Sequence, residues 1–111
     1  MKEKSEFERC AAQLRALADP RRLRILVELL RSPHYVCTLA EELNQPTVLV
    51  SYHLGMLRQS GLVMATKQGR LVAYQLHPDV VIVDPTKSRT RINLGYYRLD
   101  LSTHADRRAR R

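Results

Sequence analysis

Apolar residues recur along this chain with two different periods, and the change falls at Gly61. Before it the spacing is helical. From Ser5 to Ala18, the residues Phe7, Cys10, Ala11, Leu14, Leu17 and Ala18 return at three- and four-residue steps and describe one helix face. Asp19-Pro20 restarts the chain: Asp caps helix N-termini, and Pro fits a first turn where its missing N–H had no partner. RRLRILVELLR then predicts a second helix, with Leu23, Leu26, Val27 and Leu30 inward and Arg21, Arg22 and Arg24 near its start. Ser32-Pro33 ends it. A short third helix is expected from Thr38 to Leu43, with Thr38 as N-cap and Glu41 completing a capping-box spacing. After Asn44-Gln45, Pro46 opens a fourth helix reaching about Ser60, and Gly61 sits where a left-handed residue closes a helix.

Beyond Gly61 the pattern alternates. LVMATK and LVAYQL flank Gln68-Gly69-Arg70, a short Gly-containing connection that reads as a β-hairpin. Two helices joined by a tight turn and followed by a hairpin make a winged helix-turn-helix, an α+β fold, here over residues 5–78. The segment 79–106 is a different matter. VVIV is β-branched, DPTKSRT has turn composition, and INLGYYRLDL alternates out of phase unless a bulge near Gly95-Tyr96 adds one residue. A helical reading through Ile92, Gly95, Tyr96 and Leu99 exists, but Gly95 weakens it and strands are expected. Residues 107–111 form a basic tail.

Charge adds the first hint of a partner. Nineteen Lys and Arg against 11 Asp and Glu give a net +8, with a pI near 10.1. The excess is uneven: 11 basic and 8 acidic residues through Val83, then 8 basic and 3 acidic in the remaining 28. Such a balance favours a polyanion, nucleic acid before membrane. No apolar run approaches membrane-spanning length, and MKEKSEFER has no apolar centre of the kind a signal peptide carries. Two cysteines are too few for a disulfide framework, so a cytoplasmic protein is expected. No nucleophile–base pair, phosphate-binding Gly loop or paired catalytic carboxylates are present, which argues against an enzyme and against a cofactor.

On the fourth helix, Val50, Leu54 and Leu57 share a stripe flanked by Leu49, His53 and Met56. Thr47, Val48, Ser51, Tyr52 and Gly55 are left to face outward or sideways. Helices enter the major groove by their N-terminal half, where short polar side chains and a phenol reach base edges. Thr47, Ser51 and Tyr52 suit that task, and Val48 suits a thymine methyl. Solvated polar residues on a core helix give the same pattern.

Three segments break the tie. DPRRLRILVELL, TLAEELNQPTVLVSYHLGMLRQSGLV and KQGRLVAYQL, in that order, resemble the ArsR-type winged-helix repressors over residues 7–78. Those proteins pair an Asp-Pro-x-Arg-Leu-Arg-Ile-Leu segment with a Ser-x-His-Leu-x-x-Leu-x-x-x-Gly-Leu-Val helix. Here the matching residues run from Asp19 to Leu26 and from Ser51 to Val63. The resemblance implies a homodimeric repressor on double-stranded DNA that leaves its operator when an effector binds. It implies that Thr47, Ser51, Tyr52 and His53 face DNA, and that Lys67 and Arg70 contact phosphates from the wing. His53 as a half-buried histidine bonded to the backbone, and a merely solvated wing tip, are the bland alternatives.

The chain departs from that family twice. Where many relatives carry Cys-Val-Cys it has Tyr35, Val36 and Cys37, leaving Cys10 and Cys37 as a two-thiol pair, short of the four ligands of a structural zinc site. Cys10 on an apolar face also reads as a small buried hydrophobe. And where relatives end in a long helix that builds the dimer, this chain has Pro85 and strand-like segments. The rival readings are therefore a thiol-based metal or redox sensor, and an interaction module that pairs through its C-terminal strands.

Overall fold

The computed structural model describes residues 5–84, 89–93 and 98–99. Helix α1 spans Glu6–Leu17 and α2 spans Pro20–Arg31. Ser5 Oγ accepts from Glu8 N–H at 3.2 Å, and Asp19 Oδ1 accepts from Arg21 N–H at 2.8 Å, so each helix starts on a side-chain cap. Strand β1 is the two-residue His34–Tyr35, followed directly by α3, Val36–Leu43. Helix α4, Thr47–Gln59, leads into β2, Val63–Gln68, and β3, Leu71–Leu76. A 3-10 turn at Pro78–Val80 precedes β4, Val81–Asp84, β5, Arg89–Asn93, and β6, Arg98–Leu99.

Two antiparallel three-stranded sheets result, ordered β1-β3-β2 and β4-β5-β6. In the first, Val63 faces Leu76 and Gln68 faces Leu71, leaving Gly69 and Arg70 as a two-residue turn. Gly69 has φ 62°, the positive dihedral such hairpin turns demand. This is the α+β winged helix-turn-helix that the alternation of periods predicts.

The helices close on one core. Leu26, Leu39, Leu54, Leu57 and Leu62 are fully buried, and Ile25, Val50 and Val63 nearly so. At about 1.5–3 kcal/mol for each such side chain, this cluster is the main favourable contribution to folding. Val80 and Ile92 belong to the same cluster, so the extension packs on its own subunit.

Four expectations need correction. Thr38 is not the N-cap of α3: it lies at the third helical position, where its Oγ1 accepts from Tyr35 N–H at 3.1 Å and donates to Tyr35 C=O at 2.8 Å. The helix therefore begins two residues earlier, at Val36. Phe7 and Leu14 were expected on the packed face of α1 but are exposed, 71% and 39%; of that face Cys10 and Leu17 are buried, joined by Ala16. The segment INLGYYRLDL is not one bulged strand. Ile92 pairs with Leu99 and Asn93 with Arg98, so the chain reverses between β5 and β6. Reversal accounts for the change of phase without a bulge; residues 94–97 themselves, like the 107–111 tail, lie outside the described residues. The fourth correction concerns His53.

Candidate nucleic-acid interface

Helices α3 and α4 are joined by Asn44, Gln45 and Pro46. Asn44 takes φ 51°, a left-handed conformation that Asn tolerates, and Gln45 N–H reaches back to Ala40 C=O at 3.0 Å. The C-terminus of α4 closes in a similar way. Gly61, at φ 81°, donates to Arg58 C=O, and Leu62 N–H donates to Leu57 C=O, both at 3.0 Å. The turn that leads into the helix and the close that ends it are thus fixed by backbone geometry, and its rotation is fixed by the stripe it buries.

That stripe is Val50, His53, Leu54 and Leu57. Thr47, Val48, Ser51 and Tyr52 are left exposed, Val48 at 81% and Tyr52 at 59%. An exposed valine beside an exposed tyrosine is an unusual arrangement for a purely solvated face, and it lies on the half of the helix that fits a groove.

His53 does not join them. It is 3% exposed, and both ring nitrogens lack a hydrogen-bond partner. The reason is angular: residue 53 follows Val50 by three and precedes Leu57 by four, inside the buried arc. Nor does a backbone group satisfy it. Burial pushes its imidazole below the ordinary histidine value, opposed by Asp19 and reinforced by Arg21 and Arg22. A small cavity beside it, lined by Arg21, Arg24, Ile25, Leu43, Gln45, Leu49, Val50 and His53, has about 10 Å³ open to the centre of a water-sized molecule. That is room for about one water.

The wing supplies Lys67, exposed at the end of β2, and Arg70, exposed in the turn. Sequence reasoning missed what braces it. Tyr35 on β1 donates its phenol O–H to Gln68 Oε1 at 2.9 Å, and β1 itself pairs with β3, Tyr35 opposite Ala73. Two-residue strands carry no periodicity, so only the distant β3 reveals them.

The two cysteines are both free; Cys10 is buried on α1 and Cys37 exposed on α3. Among the described residues no three His, Cys, Asp or Glu side chains gather as a metal site requires. No helix among them is long and apolar enough to cross a membrane.

Residues 19–65 match the family described as bacterial regulatory protein, arsR family. The HTH-type transcriptional regulator CmtR of Mycobacterium tuberculosis is 53% identical over 62 residues, 56% of this chain and 52% of that protein. The chain thus spans about half the length of that relative. Its solved structure, described as a cadmium metal-sensor, superposes with a TM-score of 0.54, covering 60% of this chain and 70% of that one, at 51% identity. The HTH-type regulator MJ1325 of Methanocaldococcus jannaschii is 35% identical over 77 residues, 68% of this chain and 86% of that one. The homodimeric winged helix-turn-helix DNA-binding domain Mb0332 of Mycobacterium bovis gives a TM-score of 0.63 at 27% identity, covering 71% of this chain and 78% of that one.

Proposed function

The chain belongs to the ArsR family of bacterial regulatory proteins, and on that footing we propose that it binds double-stranded DNA as a homodimer and represses transcription. One observation carries the reading. Helix α4 is closed at its C-terminus by Gly61 and buried along one stripe, yet it holds Thr47, Val48, Ser51 and Tyr52 outward on its N-terminal half. Those side chains read base edges, with Ser51 and Tyr52 as hydrogen-bonding groups and Val48 as the apolar contact. Lys67 and Arg70 hold phosphates from the wing and fix the register of the helix in the groove. Dimerisation is supported by the homodimeric Mb0332 domain and by the exposed Phe7 and Leu14 on α1, apolar side chains that a second copy would cover.

The test is a double variant, Ser51→Ala with Tyr52→Ala, assayed against a duplex selected from a randomised library and against a mixed-sequence duplex. Removing base-edge contacts should weaken the selected duplex by about 1–3 kcal/mol, roughly 10- to 100-fold, with much less effect on the mixed one. Equal losses on both, or none on either, would remove these residues from the recognition surface.

A further inference from the structure

The N-terminus of α2 carries charge in a place that is unfavourable for the helix itself. Its first turn has no acidic residue and contains Arg21 and Arg22, with Arg24 one step further on. Positive side chains there oppose the positive end of the helix dipole, and arginines three residues apart on one face repel. Only the Asp19 cap compensates. It takes Arg21 in a two-pronged grip, from Nε at 3.3 Å and from Nη2 at 3.1 Å. Arg21 is still exposed, and Nη1 is left outside that grip. Arg24 is exposed and has no hydrogen bond or ion pair among the described residues.

Both arginines lie against the recognition helix, because they line one cavity with Leu49, Val50 and His53 of α4. Tyr52 is an electrostatic neighbour of Arg21. The cavity holds a second sign of an absent ligand. His53, 3% exposed, has both ring nitrogens unpaired, and the buried Nε of the adjacent Arg22 is unpaired too. The neutral ring has one N–H to donate, so with Arg22 Nε two buried donors lack an acceptor close to the two exposed guanidinium groups, and a water held by a bound phosphate would supply one to the ring.

We propose that Arg21 and Arg24 are a second set of phosphate contacts, gripping the DNA backbone beside the groove that α4 enters. The assignment rests on the DNA-binding reading and extends it from α4 and the wing to the start of α2. Asp19 acts through Arg21: by holding two of its nitrogens it fixes the guanidinium plane, so less side-chain freedom is lost when a phosphate binds. The contacts carry no sequence information and set affinity and orientation instead.

The experiment measures binding to a mixed-sequence duplex of about 30 base pairs across a salt series, where each lost phosphate contact flattens the log–log slope by about 0.9. Arg21→Gln with Arg24→Gln removes two contacts from each subunit of the dimer and should flatten it by about 3.6, while Arg15→Gln, exposed on the last turn of α1 near Met56 and Gln59, should leave it unchanged. Arg24→Gln alone, which spares the Asp19 grip, should give about half the change, and thermal melting of each variant verifies that it is folded. If the wild type binds with a steep slope and the double variant keeps that slope, the α2 contacts are wrong while the DNA reading stands. If the same slope change follows Arg15→Gln, the effect is one of net charge alone and the assignment also fails. If the wild type shows no salt-dependent retention at all, both fall.

Discussion

Helices α2 and α4 are nearly the same length, 12 and 13 residues, and pack against each other, but they are buried in different ways. Helix α2 hides five consecutive residues, Ile25 to Leu29, among them Glu28 at 2% exposure with the Arg31 guanidinium 3.9 Å away. Five in a row exceeds one helix turn, so its middle is enclosed on all sides. Helix α4 hides only Val50, His53, Leu54 and Leu57, one stripe, and gives the rest of its surface to solvent. Composition follows the same division. Most of α2 is Leu and Arg, strong helix formers, whereas α4 holds Thr47, Val48, Val50 and Gly55, which favour a helix less. A scaffold helix supports itself; the recognition helix is held in shape by its seat.

The sharpest way to break that contrast is to truncate one apolar side chain on each helix to alanine. Leu26→Ala empties a position that is 0% exposed on α2 and should cost about 2–5 kcal/mol in urea or thermal unfolding. Val48→Ala removes a side chain that is 81% exposed and should stay within about 0.5 kcal/mol. A Val48→Ala cost comparable to that of Leu26→Ala would mean that α4 is enclosed like α2 and has no free face.

How much of this could be read beforehand depends on whether a feature is local. The ends of α4 were written in Pro46 and Gly61, and the start of α2 in Asp19-Pro20, because caps and left-handed positions are chosen by single residues. The buried stripe of Val50, Leu54 and Leu57 followed from the helical period. What escaped depends on distant partners. Strand β1 exists only because His34 and Tyr35 meet Tyr74 and Ala73 on β3. His53 was assigned outward through its place in a family motif, although its angular position beside Val50 and Leu57 already pointed inward. Phe7 and Leu14 followed the helical period faithfully and still ended exposed, because periodicity names a face and not what covers it. The extension was legible as strands from its β-branched residues, but not as a hairpin, since a change of phase in the alternation reads equally as a bulge or as a reversal between Asn93 and Arg98.

His53 gives the contrast a pH dependence of intermediate size. Its folded imidazole titrates below the ordinary value of 6.5, chiefly because it is desolvated between α2 and α4. The unfolded chain therefore takes up the proton first as pH falls. Stability should be flat above about pH 6.5 and decline below it, by at most about 1.4 kcal/mol per pH unit, until the folded histidine titrates as well. Melting at pH 7.5, 6.5 and 5.5 should show the decline in the wild type and a flatter profile in His53→Leu. The expected sign is opposite to that of a histidine paired with a carboxylate, and Asp19, engaged by Arg21, does not reverse it. An acid-stabilised wild type would show that the buried ring carries its charge inside the α2–α4 contact.

The smallest effect separates folding from reading at a single atom. Gly55 lies inside α4, one turn beyond Ser51, and an added Cβ would meet nothing within 4 Å. Its φ is outside the left-handed range, unlike that of Gly61 at 81° and Gly69 at 62°. Alanine should therefore fit without strain and stabilise the fold by about 0.5–1 kcal/mol, since glycine costs that much in a helix interior. Gly55→Ala should raise the thermal midpoint and leave binding to the selected duplex unchanged, because the base contacts proposed above lie on the N-terminal half of the helix. Raised stability with weakened binding would instead place DNA against the backbone at Gly55. The reading face would then extend a turn further, and the glycine would be there to let the groove come close, at the expense of the helix that carries it.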